Sequence, residues 1–191
     1  DAVYVQGSIA EPGVPQRLVD AALQRWGRVD VLVNNAGTTR SIPHHDLEAA
    51  SLDVWREIFE TNVFGTWEMT RVAAPHLSAQ QGNVVMITSL AGVRPVGSSV
   101  PYAASKAALN HLTALLANAL GPDLRVNAIA PGLVETPWTA DWGVLHEAVG
   151  AMAPMRRSAT PDDLVDVALL LATNTYLTGE VIVVDGGFGL R

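Results

Sequence analysis

Residues 84–106 read VVMITSLAGVRPVGSSVPYAASK, and this stretch indicates how the chain folds. Its first part, Val84–Thr88, is a short apolar run with β-branched residues, which is typical of a buried strand in a parallel sheet. Its last part predicts a helix over Tyr102–Leu120, which Pro101 precedes and Gly121-Pro122 ends. A strand that leads into a helix is the repeating unit of α/β proteins.

The same alternation of short apolar runs and helical patterns continues on both sides of this stretch. Strands that alternate with helices imply right-handed crossovers and therefore a doubly wound parallel sheet, with three α/β/α layers. The other predicted strands are Val29–Val33, Arg125–Ala130 and Val181–Val184, with a weaker one at Val3–Val5; the other predicted helices are Val14–Trp26, Ser51–Leu77, Asp141–Gly150 and Thr160–Thr173.

The composition excludes several functional classes. The 191 residues suit one domain, and a net charge of −7 without a basic run is unfavourable for binding nucleic acid or an anionic membrane. The absence of cysteine excludes disulfides, a thiol nucleophile and Cys-ligated metals. The sequence contains no apolar run of about 20 residues and no visible signal peptide. We therefore expect a cytoplasmic protein with no nucleic-acid or membrane partner.

Four loops follow the predicted strands and are rich in glycine or small polar residues. They are 34–37 (Asn-Asn-Ala-Gly), 89–92 (Ser-Leu-Ala-Gly), 131–134 (Pro-Gly-Leu-Val) and 185–187 (Asp-Gly-Gly). Ligands of doubly wound sheets bind at the carboxyl ends of the strands, and small residues let the backbone approach a ligand closely. The sequence therefore predicts a binding site where these loops meet.

Three side chains of the opening stretch can carry proton chemistry. Tyr102 and Lys106 are four residues apart on a predicted helix and face the same way. An ammonium group near a phenol lowers the pKa of the phenol from about 10, which makes tyrosine a proton donor or acceptor near neutral pH. Ser89, at the end of a strand, can hydrogen-bond a substrate oxygen. Taken singly, the pair also fits a solvated helix face, and Ser89 fits a turn.

Asn62 and Gly65 lie inside the predicted helix Ser51–Leu77 although both are poor helix formers. Two such residues in one helical pattern indicate a kink or a functional reason, and the alternative is a tolerated, exposed asparagine.

Residues 44–46 (His-His-Asp) have the composition of a metal cluster. Adjacent histidines rarely converge on one ion without a third ligand, so we interpret this segment as a polar loop and expect no metal site.

The ordered set of motifs resembles the short-chain dehydrogenase/reductase family, in particular its 3-oxoacyl-carrier-protein-reductase-like subgroup. A Tyr-x-x-x-Lys pair alone is weak evidence, but here the motifs occur in family order and at family spacing across essentially the whole chain. The matching residues are Asn34-Asn35-Ala36-Gly37, Asn62 in an Asn-x-x-Gly setting, Ser89, Tyr102-x-x-x-Lys106, Pro131-Gly132 and Val184-Asp185-Gly186-Gly187.

The resemblance implies an NAD(P)-dependent oxidoreductase that interconverts a carbonyl and a secondary alcohol. In that family Tyr102 would be the general acid or base, and Lys106 would lower its pKa and hydrogen-bond the nicotinamide ribose. Ser89 would polarise the substrate oxygen, and Asn62 would hold a water molecule in a proton relay. The cofactor would carry the hydride while the protein orients it.

The resemblance also implies a set of binding residues, and it leaves open whether the cofactor is NAD or NADP. The stretch between Pro131 and Arg157 would form a mobile lid over the substrate, where aromatic residues suit an apolar pocket. Cofactor contacts are expected from Ser8, Ile9, Asn35, Ala36, Gly37, Tyr102, Lys106, Pro131, Gly132, Val134 and Thr136, and substrate contacts from Ser89, Ala91, Tyr102, Trp138 and Trp142.

Two departures from the family pattern accompany the resemblance. Ser8 stands where the family usually has aspartate. Gly7 and Gly13 do not form the Gly-rich phosphate turn with which the family opens, and by family position roughly fifty residues would precede Asp1. We therefore expect residues 1–191 to form one Rossmann-like domain that is incomplete at its N-terminus.

The function and the assembly each have alternatives. A catalytically silent family member, kept as a nucleotide-binding or assembly subunit, is the alternative to an active enzyme; the presence of all four tetrad residues favours the enzyme. The family is commonly a tetramer built on two long helices, so we expect a homo-oligomer, with a tetramer favoured. The apolar residues of these helices also fit a plain core.

Overall fold

A computed structural model describes residues 1–190 and contains a four-stranded parallel sheet in the order β1-β2-β3-β4. Consecutive strands are direct neighbours, so all four carboxyl ends lie along one edge of the sheet. The strands are β1 (Val31–Asn34), β2 (Asn83–Ile87), β3 (Arg125–Pro131) and β4 (Val181–Val184).

Six α-helices connect and flank the strands, and most begin and end close to the predicted positions. The helix predicted from Tyr102 begins two residues earlier, because the hydroxyl of Ser99 accepts a hydrogen bond from the Tyr102 amide at 3.4 Å and caps the first turn. The helices are α1 (Val14–Trp26), α2 (Leu52–Phe59), α3 (Thr66–Ser78), α4 (Val100–Leu120), α5 (Gly143–Met152) and α6 (Asp162–Thr173).

The central strands are buried on both faces, which explains their nearly continuous apolar sequences. Alternate side chains point to opposite faces, so Val84 and Met86 pack with α1, α3 and α4, whereas Val85 and Ile129 pack against Leu171 of α6. These two cores on the two faces of one parallel sheet confirm the predicted three-layer, Rossmann-like α/β/α architecture.

The long helix predicted over Ser51–Leu77 is interrupted by a π-helical turn, Glu60–Gly65, between α2 and α3. This turn contains both poor helix formers, Asn62 and Gly65, so the interpretation that they mark a disturbance is confirmed. A Cβ on Gly65 would lie 2.8 Å from a side-chain carbon of Ile9, which explains the glycine. π-Turns of this kind are frequent at functional sites.

The weak strand predicted at Val3–Val5 is wrong. No strand is assigned there, and Val3 and Tyr4 are exposed. A strand needs a neighbour for its amides and carbonyls, and among residues 1–190 the hydrogen bonds of β1 run to β2. An apolar, β-branched sequence is therefore not sufficient to form a strand at this position.

Candidate active site

Ser89 lies directly beyond the carboxyl end of β2. Thr88 anchors the chain there, because both its amide and its hydroxyl donate to the Ile129 carbonyl, at 2.8 and 3.1 Å. The Ser89 hydroxyl then accepts a hydrogen bond from the Ala91 amide at 3.1 Å and caps a short 3-10 turn over residues 90–92. Since its oxygen is the acceptor in that contact, the hydroxyl hydrogen of Ser89 remains able to donate to a ligand.

Tyr102 and Lys106 lie on one face of α4, as their spacing predicts. The Lys106 Nζ atom lies 5.7 Å from the centroid of the Tyr102 ring and donates to the Ile87 carbonyl at 2.9 Å. Lys106 is only 4% exposed, so a cationic side chain is held inside the protein at the end of β2. This arrangement is costly for an ordinary lysine, and such groups cluster at functional sites.

The pKa values of this pair differ from the expectation that Lys106 lowers the pKa of Tyr102. Burial raises the pKa of Tyr102, and the neighbouring Ser89 hydroxyl acts in the opposite direction. Burial also lowers the pKa of Lys106 from 10.5 to about 8. The expectation is not met because burial has the largest effect on the pKa of both groups. At neutral pH the Tyr102 phenol therefore keeps its proton and is suited to act as an acid.

Asn62 is completely buried behind this pair, and its side chain makes three hydrogen bonds. Its Oδ1 accepts from the Thr38 amide at 2.7 Å, while its Nδ2 donates to the Thr38 carbonyl and to the Ser105 hydroxyl, both at 3.0 Å. The amide thus joins the loop after β1 to α4. The water-binding role that the resemblance implies for Asn62 stays a prediction.

One large cavity, of about 1150 Å³, runs along the carboxyl edge of the sheet. Its wall brings together residues from the loops after β1, β2 and β3 with one face of α4, whereas the fourth predicted loop, residues 185–187 after β4, does not line it. The predicted site residues that line it are Asn35, Gly37, Ser89, Ala91, Tyr102, Lys106, Pro131, Gly132, Val134, Thr136, Trp138 and Trp142.

Three residues predicted to contact the cofactor are not on this wall. Ser8 is exposed and its hydroxyl accepts from the Ala10 amide at 3.3 Å. Ile9 packs into the core against Gly65, and Ala36 lies between two lining residues without lining the cavity itself. Their contacts with a cofactor stay predictions.

The segment predicted to be a lid covers one side of the cavity. Trp138 and Trp142 pack together there, with ring centroids 6.5 Å apart. His146 fastens this segment, because its Nδ1 pairs with the Ser158 hydroxyl at 2.8 Å and its Nε2 with the Thr139 carbonyl at 3.2 Å. A carbonyl only accepts, so Nε2 carries the hydrogen in this arrangement.

Two groups that hold the site together were not predicted from the sequence. The carbonyl of Ile87 positions the Lys106 amine, and the backbone of Thr38 binds the Asn62 amide. Both contributions come from the main chain, whose hydrogen bonds do not depend on residue type. Main-chain groups that position site residues can therefore be located only once the fold is known.

Two further features bear on the kind of site this is. Within residues 1–190, no group of three or more His, Cys, Asp or Glu side chains is placed to hold a metal ion. His44, from the segment considered as a metal cluster, lines the cavity and pairs through Nε2 with the Gly97 carbonyl at 3.0 Å. No helix in the same range is long and apolar enough to cross a membrane.

The buried amine makes a testable prediction about stability. A lysine pKa lowered from 10.5 to about 8 means that the folded state binds this proton more weakly than the unfolded state. Wild-type stability should therefore rise by roughly 3 kcal/mol between pH 8 and 10.5 from this group alone. Lys106→Met removes the titrating group. The free energy of unfolding of the variant should therefore exceed that of the wild type by most near pH 7, and this difference should shrink toward pH 10.5.

Urea unfolding of both proteins at several pH values measures this difference. A difference between variant and wild type that stays constant from pH 7 to 10.5 would contradict the lowered pKa of Lys106.

The chain matches known proteins along nearly its whole length. A family model described as "Enoyl-(Acyl carrier protein) reductase" matches residues 1–189. A Streptomyces violaceoruber protein, named as ketoacyl reductase 2 of the granaticin polyketide synthase, is 51% identical over 191 residues, covering 98% of this chain and 77% of that protein. The 3-oxoacyl-[acyl-carrier-protein] reductase of Thermotoga maritima is 35% identical over 177 residues, covering 90% and 71%.

Solved structures agree with these matches. The gluconate 5-dehydrogenase of Burkholderia cenocepacia, in complex with NADP and tartrate, superposes with a TM-score of 0.88 and 27% identity, covering 97% of this chain and 74% of that chain. The sequence matches, the shared fold and the cavity at the strand ends lead to one conclusion. The chain belongs to the short-chain dehydrogenase/reductase family, a family of NAD(P)-dependent oxidoreductases.

Proposed function

We propose that the protein reduces a ketone to a secondary alcohol with NADH or NADPH, using Tyr102 as the proton donor. One observation carries this proposal: Ser89, from the end of β2, meets Tyr102 and Lys106 of α4 on the wall of one cavity. A hydroxyl, a protonated phenol and a buried cation together can stabilise negative charge that develops on a carbonyl oxygen.

The residues on the wall fit a dinucleotide cofactor. Glycine and small residues at the ends of β1 and β3 leave room for a ligand close to the backbone. The Lys106 ammonium has three N–H groups and, among residues 1–190, a single recorded acceptor, the Ile87 carbonyl. The remaining donors suit a ribose hydroxyl. Asn35, Gly37, Lys106, Pro131 and Thr136 would hold the cofactor, and bound NAD(P)H would supply the hydride.

The protein's own contribution to the step is the proton and the stabilisation of charge. Tyr102, whose burial keeps the phenol protonated at neutral pH, donates its proton to the carbonyl oxygen of the substrate. Ser89 donates a hydrogen bond to the same oxygen. The Lys106 cation, beneath the phenol ring, stabilises the phenolate that remains.

The shape of the cavity favours a bulky, apolar ketone. On the lid side, Trp138, Trp142 and Leu145 give the wall apolar surface, and Ser89 and Tyr102 offer hydroxyl groups on another part of the wall. A large apolar pocket with few, localised polar groups orients a substrate by one polar end. The similarity to a ketoacyl reductase of a polyketide synthase supports a ketone on an acyl chain.

Assembly into a homo-tetramer is proposed with the enzyme. Phe64 of the π-turn, Trp67 of α3 and Leu115 of α4 have 42–55% of their surface exposed, and a partner subunit that packs on these helices would cover them. Light scattering should give a tetramer mass for the wild type and a smaller mass for Trp67→Glu. Leu52→Glu, at an exposed position on α2, is the control. A wild-type monomer would contradict the proposal.

Tyr102→Phe tests the reaction itself. Loss of the proton donor should lower kcat for ketone reduction by roughly 10²–10⁴-fold while the fold and NADPH binding are retained. The matched control is Tyr176→Phe, which removes the hydroxyl of a tyrosine that is 96% exposed and should leave kcat unchanged. The measurement is NADPH oxidation with a panel of ketones, together with NADPH fluorescence for binding.

Two results would count against this proposal. Full activity in Tyr102→Phe would exclude Tyr102 as the proton donor. NADPH binding by the wild type without turnover of any ketone would favour the alternative, a catalytically silent nucleotide-binding subunit.

A further inference from the structure

A second serine, Ser105, lies between Tyr102 and Lys106 on α4 and is completely buried. Its hydroxyl donates to the Tyr102 carbonyl at 2.7 Å and accepts from the Asn62 amide at 3.0 Å. The direction of both bonds is forced, because a carbonyl only accepts and an amide NH₂ only donates. A hydroxyl is the group that can satisfy both neighbours at once, which gives a buried serine a reason to be in this helix.

Without the Ser105 hydroxyl, one of the two N–H groups of the Asn62 side chain would lose its hydrogen-bond acceptor. One Nδ2 hydrogen goes to the Thr38 carbonyl and the other to the Ser105 hydroxyl, while Oδ1 accepts from the Thr38 amide. Asn62 therefore bridges the loop after β1 and helix α4, which, among residues 1–190, share no other hydrogen bond at this point. Ser105 is the side-chain anchor of that bridge on α4.

The bridge and the Lys106 amine border the same residue, Gly37. A Cβ added to Gly37 would be 3.3 Å from the Asn62 Oδ1 atom and 3.5 Å from the Lys106 Nζ atom, so all three residues meet at one point. Interiors are close-packed, so displacement of the Asn62 amide moves the wall that confines the amine. The position of Lys106 thus depends on a contact that Ser105 makes.

We infer that Ser105 is a positioning residue for the reaction proposed above: its hydroxyl holds the Asn62 amide on α4 and thereby fixes where Lys106 and Tyr102 stand relative to the cavity. This inference rests on the proposed function. Ser105 does not line the cavity, so it acts through Asn62 and Lys106 and does not touch the substrate.

Ser105→Ala removes both hydrogen bonds and should lower kcat by roughly tenfold to a hundredfold, with the KM values for ketone and NADPH little changed. Thr113→Val is the matched control. Thr113 is equally buried on α4, and its hydroxyl donates only to the Leu109 carbonyl within the same helix, at 2.9 Å. The control should lose stability without losing kcat. Ser105→Cys keeps the side chain's size and weakens both bonds, so a folded variant is available if alanine is not tolerated.

A double-mutant cycle tests whether Ser105 acts through Asn62. If it does, Asn62→Ala/Ser105→Ala should lower kcat no further than Asn62→Ala alone. Independent, multiplicative losses would overturn the inference, as would equal losses of kcat in Ser105→Ala and Thr113→Val.

A readout that needs no turnover separates this inference from the proposed function. Lys106 is the only lysine in the chain, so lysine labelled with ¹³C at Cε gives one NMR signal whose titration reports its surroundings. In Ser105→Ala or Ser105→Cys, the side chains around the Lys106 amine should pack less tightly, and the midpoint of its titration should move from about 8 toward 10.5. In Thr113→Val the midpoint should stay at about 8. An unchanged midpoint in Ser105→Ala and Ser105→Cys would overturn the inference, even if the wild type proves to be an active reductase. A shifted midpoint in a protein that reduces no ketone would support the positioning contact while the proposed function fails.

Discussion

The site depends on one constraint, a lysine cation held inside the protein under a tyrosine ring. Removing an ammonium group from water is unfavourable, and the Lys106 pKa of about 8 reflects that cost. The neighbouring elements supply what makes this possible: the Ile87 carbonyl at the end of β2 accepts a hydrogen bond from the amine, and α4 places Lys106 beneath Tyr102. Burial also raises the pKa of Tyr102, so the phenol above this cation keeps its proton at neutral pH.

The fold provides this arrangement through the edge where all four strands end. β2 delivers both the Ile87 carbonyl and Ser89, and β1 delivers the loop that Asn62 binds. The π-turn aims Asn62 inward, where an uninterrupted helix would follow a different path. The polar groups of the site are therefore held by strand ends and a helix that are themselves fixed by two apolar cores.

Much of this could be predicted from the sequence because the signals are local. Apolar runs such as Val84–Thr88, and the Tyr102 to Lys106 spacing, follow directly from strand and helix geometry. Asn62 and Gly65 indicated a kink or a functional reason within the long helix because both oppose a regular helix, and the structure has a π-turn at that place. The carboxyl-edge rule then brought most of the predicted site residues to one cavity.

The remaining errors have tertiary causes. Val3–Val5 has the residues of a strand but no neighbour to pair with in the described part of the chain, and pairing is not encoded in the segment. The direction of the Tyr102 pKa shift depends on burial and on where the Lys106 amine points, and neither follows from spacing along a helix. Ser105 was not among the predicted site residues, because its two hydrogen-bond partners are brought to it only by the fold.

The most direct test of this account is the titration of Lys106 in the wild-type protein. Since the chain has a single lysine, the ¹³Cε signal of labelled protein can be followed against pH without mutation. The account predicts one transition with a midpoint near 8, displaced from the ordinary lysine value by burial. A midpoint at or above 10.5 would show that the amine is solvated, which would contradict the claim that the Lys106 cation is buried beneath Tyr102.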